Sequence, residues 1–91
     1  MYWIEFKSEK PGLELAEYLA KFIYPGVPVD EGVPFRGYSN EWWELSRAND
    51  HKLDEKGNNT HVYRDRYAPP DRMERVEKAL LEIGATDIRR V

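Results

Sequence analysis

The chain has 91 residues, 41% hydrophobic and 34% charged, which is enough for one domain with one core and too apolar for a disordered segment. It contains no cysteine, which excludes disulfides, thiolate metal sites and thiol nucleophiles. The net charge of −3 arises wholly in residues 1–48, with five Lys/Arg against eight Asp/Glu; residues 49–91 carry nine of each, so no like-charge block marks a nucleic-acid tail.

Tyr2 to Lys7 alternates strictly, with Tyr2, Ile4 and Phe6 on one side and Trp3, Glu5 and Lys7 on the other. A period of two with aromatic and β-branched residues predicts a strand. Ser8 to Gly12 punctuates it, and Pro11 suits a first helical turn, where no amide donor is needed. Leu15, Leu19, Phe22 and Ile23 then recur at helical spacing, which predicts a helix over 13–24, stopped by Pro25-Gly26.

Residues 25–40 hold Pro25, Pro28 and Pro34 with Gly26, Gly32 and Gly37. Three prolines in so short a stretch exclude a helix or a central strand, so the sequence predicts a long ordered loop or an extended arm. Its apolar residues, among them Val27, Phe35 and Tyr38, suit a segment packed onto the body of the protein.

Glu41 to Arg47 predicts a second strand and Thr60 to Tyr67 a third, joined through a polar hairpin tip over 49–59 that ends in Gly57-Asn58-Asn59. Pro69-Pro70 leads into a helix over 71–84, whose stripe is Met73, Val76, Leu80 and Ile83. Asp71 and Arg75 form a favourable pair four apart, and Gly84 stands as terminator. Thr86 to Val91 is a short final strand.

Strand–helix–strand–strand–helix–strand with both helices on one face of a four-stranded antiparallel sheet is the ferredoxin-like split βαβ sandwich, an α+β architecture spanning 1–91 as a single domain. Many unrelated functions use that fold, so it assigns none.

In this topology the helix-facing set is Tyr2, Ile4, Phe6, Trp43, Leu45, His61, Tyr63 and Ile88. The open face carries Trp3, Glu5, Trp42, Glu44, Val62, Arg64, Arg66 and Arg89. The opposite register would bury Arg64 and Arg66, and a one-residue slip exchanges every side chain. Asp65 and Arg90 fall on the inward side and are expected at strand ends. A solvated face with cross-strand Glu–Arg pairs has a similar composition. Exposed tryptophans tip the reading towards a recognition surface, because Trp and Arg are enriched where binding energy concentrates.

The expected partner-binding residues are therefore Trp3, Trp42, Arg64, Arg66 and Arg89, with Phe35, Arg36 and Tyr38 of loop 25–40 as a second contact. Glu5 and Glu44 on the same face, and the acidic chain, disfavour nucleic acid; the aromatics keep a single-stranded nucleic-acid module as the alternative. A protein partner tolerates mixed charge, and a second copy of the chain, giving a dimer, is the simplest case.

Catalytic chemistry has little support. His51 and His61 with Asp50, Asp54 and Glu55 are the one grouping that could hold a metal or an acid–base pair. His61 more readily fills a strand position beneath a helix. The calcium-loop pattern fails, since Lys52 and Lys56 stand where oxygen ligands are required. No nucleophile triad or phosphate-binding glycine loop is present, and no cofactor is called for. The N-terminus is not a signal peptide and no run approaches the roughly 20 apolar residues of a membrane span. A cytoplasmic, non-enzymatic protein-binding module is the expectation.

Overall fold

The computed structural model describes residues 2–23, 30–32, 37–39, 42–47 and 57–91, the segment 30–32 by its backbone alone. The chain is α+β. Its elements are β1 (Tyr2–Ser8), α1 (Gly12–Phe22), β2 (Asp30–Gly32), β3 (Gly37–Ser39), β4 (Trp43–Arg47), β5 (Asn59–Asp65), α2 (Pro70–Glu82) and β6 (Thr86–Arg90). Every pairing in the sheet is antiparallel, in the order β2-β3-β4-β5-β1-β6.

The sheet is wider than the four strands expected from the sequence. The three-residue β3 pairs with β4 through Tyr38↔Leu45 and Ser39↔Glu44, and β2 adds outside it through Asp30↔Ser39 and Gly32↔Gly37. This corrects the reading of residues 25–40 as a loop with no inner strand. In sequence the prolines fall outside Asp30–Gly32 and Gly37–Ser39, so neither described strand loses a ladder amide to one.

Both helices pack on one face. Leu15, Ala16, Leu19 and Ala20 of α1 join Val76, Ala79 and Leu80 of α2 in one core with Tyr2, Ile4, Phe6, Trp43, Leu45 and Tyr63 of the strands. The strand alternation predicted this face, and the buried set agrees with it. Trp43 and Tyr63 stack at 5.7 Å between centroids, and Tyr2 meets Tyr63 edge-on at 6.2 Å. All three rings belong to the buried core.

Helix α2 ends in a Schellman motif. The Gly84 amide donates to Leu81 O at 3.1 Å and the Ala85 amide to Leu80 O at 2.9 Å, with Gly84 at φ +82°. The next strand carries a bulge where β6 meets β1: Glu5 pairs Arg89 and Lys7 pairs Thr86, which leaves Asp87 and Ile88 opposite Phe6. Asp87 takes the left-handed conformation, φ 52°, and its carboxylate reaches Lys7 Nζ at 3.5 Å.

Asp65 and Arg90 do lie at strand ends, and both are paired. The Asp65 carboxylate is held by Arg72, while Arg90 reaches α2 and meets Glu77 through Nε at 3.2 Å and Nη2 at 3.0 Å. Among the described residues, no helix is long and apolar enough to cross a membrane.

Candidate binding surface

On the side of the sheet away from the helices, cross-strand pairing forms two rows. In the first, Glu44 of β4, Arg64 of β5 and Trp3 of β1 stand side by side. The Arg64 guanidinium lies over the Trp3 ring, 4.6 Å from its centroid, and its Nη1 reaches Glu44 Oε1 at 3.5 Å. Arg64 thus contacts its cross-strand neighbour on either side, the ring of Trp3 and the carboxylate of Glu44. Trp3 remains 37% exposed.

In the second row, Ser46, Val62, Glu5 and Arg89 align. Arg89 Nη2 meets both Glu5 oxygens, at 3.4 and 3.5 Å. Val62 was expected in the open, yet it is buried at 6% exposure. Its cross-strand neighbours are Glu5 and Ser46, so the middle of this face is not bare.

Three sequence-predicted residues lie elsewhere. Trp42 sits in a bend ahead of β4, and its ring is 5.9 Å from the guanidinium of Arg72 on α2. It belongs to the end of the sheet where α2 begins. Strand β5 closes at Asp65, so Arg66 stands in the following turn rather than in the strand. Its amide donates to Trp42 O at 3.2 Å. Tyr38 is in β3, half-buried, and packs against the core; a Cβ at Gly12 would meet its ring at 3.1 Å. Phe35, Arg36 and His51 lie outside the described residues.

No family model matches this chain, and no curated protein or solved structure matches it either. The site therefore rests on geometry alone.

His61 occupies the strand position anticipated for it. It is 1% exposed and stacks on Phe6 at 5.4 Å. Burial, reinforced by the charge of Arg47, pushes its pKa down to about 4, against a weaker opposing effect from a hydrogen bond with the Ser8 backbone. It is neutral at pH 7, and among the described residues its Nε2 has no hydrogen-bond partner. Among the described residues, no three His, Asp or Glu side chains gather to hold a metal ion.

Sequence reasoning missed the cluster around Asp65. That carboxylate has no solvent exposure. It accepts from Arg72 Nη2 at 2.8 Å, the Tyr63 hydroxyl at 3.0 Å and the Tyr67 amide at 3.1 Å. The available signal was an acid on the inward side of a strand with an arginine seven residues later, in the first turn of the next helix.

Proposed function

We propose that this chain is a non-enzymatic protein-binding module that pairs with a second copy of itself through the sheet face bearing Trp3, Arg64, Glu44, Glu5 and Arg89. On this reading the inner strands β4-β5-β1-β6 with both helices form a ferredoxin-like layer, and β2–β3 is a hairpin added at its edge. A cytoplasmic setting fits a chain without cysteine.

The observation that carries the reading is Trp3 under Arg64 at 4.6 Å, an exposed indole held in place by a cation that is itself fixed by Glu44. Tryptophan and arginine in a pre-ordered arrangement supply binding energy with little conformational entropy left to lose. The face carries two carboxylates and two guanidiniums, so two copies related by a two-fold axis can oppose unlike charges. Nucleic acid is the weaker reading, because Arg64 and Arg89 are both engaged by carboxylates that would repel phosphate.

Light scattering over a concentration series tests it. Wild type should approach twice the single-chain mass, and Trp3→Ala should stay at the single-chain mass with an unchanged circular dichroism spectrum. A wild-type mass that stays at one chain throughout would overturn self-association.

A further inference from the structure

A groove of about 370 Å³ lies where the ends of β1 and β6 meet the turn between β5 and α2. Trp3, Arg66, Tyr67, Met73, Arg90 and Val91 are among the residues that line it. We propose that it binds a planar aromatic ring bearing a carboxylate or a phosphate, the anionic group on Arg66 and the ring against Tyr67 and Trp3.

Three observations converge on that chemistry. The two turn residues are fixed by their backbones: the Arg66 amide is bonded to Trp42 O, and the Tyr67 amide to the buried Asp65 carboxylate at 3.1 Å. Their side chains are therefore offered from a rigid turn, as a binding site requires. Tyr67 is 81% exposed, although packing it away would remove a large apolar area from water. An exposed phenol at a concave site, with the Trp3 indole also lining it, gives a ring two aromatic neighbours.

The charge of the groove is set by which arginines are already engaged. Arg90 is held by Glu77, and Arg72 close by is held by Asp65. Arg66 has an ion pair with none of the described residues, so its guanidinium is the cation available to a ligand.

A polyanion is a poor fit, since one uncommitted guanidinium cannot track a backbone of phosphates. A single anion on a flat apolar body matches one cation and two rings.

The test is an amide and indole NMR titration of the whole chain with phenyl phosphate and, separately, with benzoate. Inorganic phosphate and phenol serve as probes carrying one feature each. Saturable shifts are expected at the amides of Arg66, Tyr67 and Val91 and at the Trp3 indole. Saturation with phenyl phosphate alone, benzoate alone or both supports the site and names its anion. Arg66→Ala, at an exposed turn position whose structural bond is made by the backbone, should weaken binding about tenfold or more while the remaining spectrum is unchanged. No saturable shift with either ringed anion would overturn the proposal, as would equal binding of inorganic phosphate or undiminished affinity in Arg66→Ala.

Discussion

The guanidinium of Arg72, in the first turn of α2, donates to the carboxylate of Asp65, the last residue of β5, at 2.8 Å, and it stands 5.9 Å from the ring of Trp42. Strand end, helix start and the bend before β4 are thereby joined at one point. Asp65 also holds the Tyr67 amide, so the same carboxylate that accepts from α2 shapes the turn lining the groove.

That arrangement predicts a large cost for removing one member. Asp65 has no exposure and the Arg72 side chain is 15% exposed, so the pair is shielded from water. Arg72→Met takes the guanidinium away from a buried carboxylate. Such losses run at about 3–5 kcal/mol, a large fraction of the total stability of a small domain. Urea unfolding at pH 7 should show a markedly lower midpoint for Arg72→Met. Asp65→Asn combined with Arg72→Met should recover part of it, because the uncompensated charge is then gone. A midpoint equal to wild type in the single variant would show that the pair does not hold α2 to the strand.

His61 makes stability depend on pH. Its folded pKa of about 4 lies below the ordinary 6.5, with burial as the main cause and the Arg47 charge as the second. Between those values the unfolded chain binds the proton and the folded chain does not. Stability from this residue is therefore complete above about pH 7 and is lost as pH falls from 6.5 towards 4, by up to about 3 kcal/mol. Carboxylates titrate in the lower part of the same window, so the informative quantity is a difference. His61→Gln should flatten the stability profile between pH 7 and 5 relative to wild type in urea unfolding. Parallel profiles would mean that the imidazole is not shielded as the structure has it.

Much of this fold is legible in residue patterns, for reasons that also explain the failures. The alternation of Tyr2, Ile4 and Phe6 and the stripe of Val76 and Leu80 report burial directly, because every second or every third to fourth residue must leave water. Arg64 fixed the register, since no partner was at hand for it in a core. The hairpin of β2 and β3 left no such trace. A three-residue strand is too short to show a period, and Tyr38 is inward because it opposes Leu45, a relation set by pairing rather than by its own neighbours. Trp42 and Arg66 were misplaced together. Both lie one residue beyond a strand end, where alternation no longer dictates direction.

Gly37 is the residue on which that hairpin depends. A Cβ there would lie 2.6 Å from the Leu45 carbonyl oxygen and 3.3 Å from the Ser46 Cβ. The clash is with backbone of the neighbouring strand, which cannot rotate away. Gly37→Ala should therefore force β3 from β4, at a cost of about 1–3 kcal/mol by analogy with overpacking. Hydrogen exchange should show lost protection at Tyr38 and Ser39, with β1 and β5 unaffected. Retained protection at those two amides would contradict the close approach.

Asp87 gives the last prediction, because two effects there act in opposition. Its left-handed conformation, φ 52°, is one that side chains other than glycine adopt at a cost, least for Asp and Asn. Asp87→Gly relieves that cost but removes the 3.5 Å contact with Lys7, whose partners are 35% and 70% exposed and whose value in water is below about 1 kcal/mol. The two changes nearly offset, and thermal unfolding of Asp87→Gly should match wild type closely. Asp87→Val loses the same contact and adds a β-branched side chain at positive φ, so both changes destabilise. It should cost about 1–2 kcal/mol, enough to lower Tm by several degrees in a chain of this length. Valine favours strands, so a propensity argument alone predicts the opposite sign. An Asp87→Val protein as stable as wild type would mean that β6 runs without the bulge, with Ile88, Arg89 and Arg90 shifted against β1.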